Sequence, residues 1–160
     1  MPEKLANALL FQAGWFACVI GGDSAWLLLA LAVLALHVAW HGEARLLIEA
    51  FGLGVLLDSA LMWAGVYDFR PSGMVIPLWL ALLWPLFAST LRHCLAWTAE
   101  PAWLAAALGA VGGPLSYYAG SQWAGVAFPY GLWPTMFGLG LLWAMILPGL
   151  HWVARRSVRG

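Results

Sequence analysis

Long apolar runs separated by short polar breaks organise this chain. Crossing the hydrocarbon of a bilayer takes about 20 apolar residues in a helix, with roughly 17 to 25 usual. Six segments approach that length, at residues 5–21, 25–40, 46–66, 74–97, 101–120 and 132–153. The breaks carry turn and cap chemistry. Gly21-Gly22-Asp23-Ser24 is a tight turn ending on a capping residue for the short second run. His41-Gly42-Glu43-Ala44-Arg45 is charged and brief, and Tyr67-Asp68-Phe69-Arg70-Pro71-Ser72-Gly73 mixes charge with Pro and Gly, the strongest loop signal in the chain. Thr98-Ala99-Glu100-Pro101 reads as a helix stop followed by a Pro start, and the aromatic stretch 121–131 reads as an interfacial connection. The pattern predicts an all-α, six-helix transmembrane bundle in one domain over 1–160.

Composition removes the soluble alternatives. Hydrophobic residues are 64% of the chain and charged residues 9%, against about 45–50% and about 25% in soluble domains. Such a chain lacks the polar surface that water requires. The net charge of +0 supplies no basic field, so nucleic acid is excluded as a partner. The distribution of charge sets orientation. With the N-terminus inside, Lys4, Arg45, Arg92, Arg155, Arg156 and Arg159 lie on the cytoplasmic side and Arg70 lies outside, so both termini are expected in the cytoplasm. Asn7 and Gln12 interrupt the first run and no small-residue cleavage site follows, which predicts a retained first helix. Cys18 and Cys94 fall near opposite faces and are expected to be free thiols acting as small packing residues.

Eight tryptophans, at 26, 40, 63, 97, 103, 123, 133 and 152, fall where helices should meet headgroups and fit an interfacial belt. Trp84 and Trp143 look deeper. Each follows a Leu-Leu pair and precedes a histidine, His93 or His151, by a little over two turns, a weak hint of repeated hairpins. Gly109 and Gly113 form a small-xxx-small pair suited to close helix packing, and Pro114 should kink the same helix.

Ionisable groups inside lipid are functional candidates because placing them there costs a few kcal/mol or more. An inner layer near the cytoplasmic face comprises Asn7, His37, Glu49, Arg92, His93 and His151. Glu49 and Arg92 have matching depths on successive helices, which predicts an ion pair. His37, His93 and His151 could in principle surround a metal, but interfacial histidines at loosely matching positions usually serve as polar helix ends. No metal site and no cofactor are expected. An outer layer centres on Asp58, level with Ser116, Tyr117 and Tyr118. Nine residues separate Asp58 from Glu49, which puts them on opposite helix faces and in different sites. Asp58 facing tyrosine hydroxyls could serve a proton relay, general acid/base chemistry or a polar ligand, or only an interhelical lock. There is no GxSxG elbow, HExxH, phosphate-cradling loop or CxxC, and the Gly52-Leu53-Gly54 stretch lacks an adjoining Asp. Enzyme status stays open, and these absences count against it.

Two blocks carry a family likeness. Residues 83–97, Leu-Trp-Pro-Leu-Phe-Ala-Ser-Thr-Leu-Arg-His-Cys-Leu-Ala-Trp, resemble the fourth-helix pattern of a bacterial membrane family filed as domain of unknown function 2878. Residues 109–120, Gly-Ala-Val-Gly-Gly-Pro-Leu-Ser-Tyr-Tyr-Ala-Gly, are similar to its next block. Cys94 departs from the pattern, where a small polar residue is expected. The resemblance implies a small bacterial inner-membrane protein without assigned activity, and relatives associated with lipid-modifying enzymes make a lipid-related role plausible. It carries over no catalytic residue; Arg92, His93, Gly113, Pro114, Ser116 and Tyr117 are only the matching positions. The expected partners are membrane lipids, with a homo-oligomer or another membrane protein as further options. The leading expectation is a protein that binds or handles a lipid or small amphiphile within the bundle. A small proton-coupled transporter and a structural accessory subunit are the alternatives.

Overall fold

A computed structural model describes residues 2–69 and 73–157. Its helices are α1 (Pro2–Gly21), α2 (Leu27–His41), α3 (Ala44–Trp63), α4 (Leu78–Ala88), α5 (Ala102–Ala124) and α6 (Leu132–Arg156), with a short 3-10 turn at Ala96–Ala99 before α5. The helix starts follow backbone chemistry. Pro77 and Pro101 immediately precede α4 and α5, where a missing N–H costs nothing. Gly42 ends α2 at φ 70, and its N–H bonds the Val38 carbonyl, a left-handed cap that turns the chain sharply into α3.

Residues 74–97 do not form the single helix expected of them. The α-helix covers only Leu78–Ala88. Pro85 lacks the N–H that would bond one turn back, which weakens the helix before its end. The hydroxyls of Ser89 and Thr90 then donate to the carbonyls of Leu86 and Phe87, each at 2.6 Å, and compete with helical continuation. Beyond Ser89 the backbone runs in tight turns, with bonds from Thr90 to Phe87 and from Leu91 to Ala88. In contrast, α5 passes through Pro114 unbroken and extends to Ala124, so its connection to α6 is shorter than 121–131.

Successive helices run antiparallel. One end of the molecule gathers the start of α1, the end of α2, the start of α3, residues 89–99, the start of α5 and the end of α6. Asn7 bonds Ser89 there, Arg92 meets Glu43, and Arg155 meets Glu100. At the opposite end Asp23 accepts the Trp79 N–H at 2.9 Å, and Asp68 and Ala127 exchange backbone bonds at 3.0 and 3.1 Å. Helices α1 to α4 form one packed group and α5–α6 a closely packed hairpin. A Cβ on Gly109 would collide with the Trp143 carbonyl oxygen, so the glycine pair permits the contact expected of it.

The outer surface is apolar. Leu28, Ile48, Leu56, Phe137 and Met145 all face outward. The eight belt tryptophans are 52–80% exposed and sit at or next to helix ends, whereas Trp15, Trp79, Trp84 and Trp143 are buried. Among the described residues three helices, α1, α3 and α6, are long and apolar enough to cross a membrane.

Candidate functional site

The outer polar centre forms around Asp58, which is 0% exposed. Its Oδ1 accepts the Tyr117 hydroxyl at 2.7 Å and its Oδ2 accepts the Trp84 indole N–H at 2.8 Å. No cation pairs with it among the described residues. Of the expected outer layer, the structure brings Tyr117 to Asp58 but neither Ser116 nor Tyr118. Ser116 accepts the Trp15 indole N–H at 3.2 Å, and Tyr118 faces outward.

Glycines make this centre possible. The Trp84 ring lies against Gly54 of α3 and the Trp143 ring against Gly113 of α5, each so closely that a Cβ would collide. The two indoles stack on one another, 5.5 Å apart with planes at 25°. Tyr67 stacks on Tyr117 at 5.4 Å and 17°.

Beside these rings runs a cleft of about 510 Å³ between α1 and α4 on one side and α5 on the other, walled by Trp15, Trp79, Phe87, Leu108, Leu115 and Tyr117. The size falls within the usual range for small-molecule sites, about 300–1,000 Å³. Tyr67 and Trp143 also line it. Both are buried, 3% and 8% exposed, and among the described residues the Tyr67 hydroxyl and Trp143 indole N–H meet no hydrogen-bond partner of good geometry. Unpaired buried donors are costly, about 1–3 kcal/mol each. An apolar cavity with two unused donors is suited to an apolar molecule that carries an acceptor.

The inner centre differs from its expected form. Arg92 pairs not with Glu49 but with Glu43, Nη1 to Oε1 at 2.9 Å, whereas Glu49 pairs with Arg45 of its own helix at 2.8 Å. The expected depth match counted Arg92 along a continuous helix. With α4 ending at Ala88, the following turns carry Arg92 and His93 to the mouth of the α2–α3 connection. Glu43 is buried, and its Oε2 lies 3.0 Å from His37 Nε2 and 3.3 Å from His93 Nε2. Burial pushes the Glu43 carboxyl up, but the hydrogen bond from His37 and the charges of Arg92, His93 and His37 outweigh it and hold it below the usual carboxylate value. His41 completes the cluster, its ring 4.9 Å from that of His37 and 4.1 Å from that of His93.

Of the other inner-layer residues, Asn7 serves the backbone. Asn7 donates to the Ser89 carbonyl at 3.0 Å and accepts the Cys94 N–H at 3.3 Å, satisfying the non-helical turns after α4. His151 meets Thr98 at 2.7 Å, away from the other histidines. Cys18 and Cys94 are free thiols, on α1 and beside its first turns respectively. Arg70 and Arg159 lie outside the described residues.

Glu43, His41, Tyr67 and the Asp58–Trp84 bond escape a reading of hydropathy. Glu43 lies in a polar break, where charge is ordinary. The available signal was Gly42, whose left-handed turn folds the next residue back beneath α2. A family model described as protein of unknown function (DUF2878) matches residues 4–149. No curated protein and no solved structure matches the chain.

Proposed function

We propose that this chain, which belongs to the DUF2878 family, is a multi-pass protein of the bacterial inner membrane that holds a lipid or small amphiphile in the cleft between α1, α4 and α5. The observation that carries this reading is the cleft itself, with apolar walls and, at its lining, two donors, Tyr67 and Trp143, without a well-placed acceptor among the described residues. An acyl chain would fill the apolar part, and a carbonyl or hydroxyl oxygen would accept from the donors. Behind the cleft wall, Asp58 bonded to Trp84 and Tyr117 holds α3, α4 and α5 in register.

The membrane arrangement belongs to the same proposal. Lys4, Arg45, Arg92, Arg155 and Arg156 all sit at one end of the antiparallel bundle, which favours six crossings with that end cytoplasmic. Helices α2 and α4, at 15 and 11 residues, are shorter than a full crossing. The turns after Ala88 prolong the path of α4, and a locally thinned bilayer accommodates α2.

The test uses Gly112, which lines the cleft and where an added Cβ meets nothing within 4 Å. Gly112→Phe should fill the cleft without disturbing the fold. Native mass spectrometry of protein purified from membranes should find bound lipid on the wild type and a loss of roughly tenfold or more in the variant, a change of about 1.4 kcal/mol or more in binding. Equal lipid on both proteins, at equal thermal stability, would overturn the reading.

A further inference from the structure

The inner cluster has a feature that helix locking does not explain. Glu43 is fully served by His37, His93 and Arg92. His41 makes no hydrogen bond to it, is exposed, and nevertheless packs its ring against both other imidazoles. Nitrogen atoms of His37, His41 and His93, one from each, lie within 4.8 Å of one another.

We propose that His37, His41 and His93 bind a divalent transition-metal ion of the zinc class, with Glu43 as the carboxylate that orients two of the imidazoles. The ligand set fits. His37 and His41 are four residues apart on α2, the spacing that places two imidazoles on one helix face for a shared ion. His93 arrives from a separate segment, so the site ties the end of α2 to the turns after α4. A histidine that donates Nε2–H to Glu43 keeps a lone pair on Nδ1, the tautomer that metal ligation needs. Zinc–nitrogen bonds are about 2.0–2.1 Å and the geometry tetrahedral, so the ligand atoms must close to roughly 3.3 Å. Rotation of the exposed His41 ring supplies much of that movement. Three imidazoles leave a fourth position for water, and the exposed edge at His41 is the entry path. Arg92 remains on Glu43 Oε1 and offsets its charge.

The experiment uses the full chain purified in detergent without a histidine tag, stripped with chelator, and titrated with Zn²⁺ alone by calorimetry. Wild type should take up one equivalent, and His41→Ala should weaken binding roughly tenfold or more. His41 is exposed and makes no hydrogen bond among the described residues, so the variant should fold as the wild type does. Glu49→Ala, which removes an exposed carboxylate at the same end, should bind as the wild type does. Co²⁺ in place of Zn²⁺ should give a ligand-field spectrum in the wild type that His41→Ala loses. Absence of uptake by the wild type, unchanged affinity in His41→Ala, or equal weakening in Glu49→Ala would each overturn the site. None of these outcomes depends on lipid in the cleft.

Discussion

The indole rings of Trp84 and Trp143 stack 5.5 Å apart, joining α4 to α6 across the middle of the bundle, yet their N–H groups have opposite fates. That of Trp84 donates to Asp58, and that of Trp143 has no partner among the described residues. Trp84→Phe should therefore destabilise the fold by about 1–3 kcal/mol, because a buried carboxyl loses a donor. Trp143→Phe keeps the ring contact and removes an unpaired donor, so it should be close to neutral. Unfolding of both variants in one detergent measures the difference; equal losses would mean that ring area, not the hydrogen bond, holds the centre together.

Two glycines of α5, three residues apart, should respond to alanine in opposite senses. At Gly109 a Cβ would meet the backbone oxygen of Trp143, which cannot rotate away, so Gly109→Ala should push the α5–α6 hairpin apart and cost about 1–3 kcal/mol. At Gly112 the Cβ has open space, and Gly112→Ala should stabilise by up to about 1 kcal/mol through helix propensity. Thermal midpoints of the two variants read this directly.

Two of the ion pairs at the charged end should differ in worth. Arg45 and Glu49 are an exposed pair one turn apart, and Arg45→Gln should cost no more than about 0.5 kcal/mol. Arg92→Gln removes the guanidinium from a buried carboxylate and should cost about 1–3 kcal/mol, most visibly at low ionic strength. Denaturation of each variant with and without added salt gives both magnitudes.

Asn7 holds backbone that no helix serves. Asn7→Leu should leave the Ser89 carbonyl and Cys94 N–H unpaired and speed amide exchange across residues 89–95, with a global loss of about 1–3 kcal/mol. Hydrogen exchange by mass spectrometry should find that change concentrated in the turns after α4. A uniform change over all peptides would contradict a local role.

Which of these features was legible beforehand follows from what hydropathy measures. It reports the solvent of each stretch, so six apolar runs became six helices, and the interfacial tryptophans of the sequence became the exposed ones of the fold. The Asp58–Tyr117 contact also followed from depth, because α3 and α5 are continuous and a residue count converts to height. Glu49–Arg92 failed by the same measure. The count assumed an unbroken helix through 97, and Pro85 with the hydroxyls of Ser89 and Thr90 ended it early.

The amino-acid order alone determined the helical class, the apolar exterior, the charge asymmetry between ends and the glycine pair that admits close packing. These are properties of single segments and of their local solvent. Tertiary structure decided the partners: Trp84 beneath Asp58, Glu43 in place of Glu49, His41 in place of His151, and the cleft beside Tyr67. A partner depends on how each helix is rotated about its axis and where it stops. Glycine-sized gaps and a left-handed turn at Gly42 set those quantities only when the segments pack together.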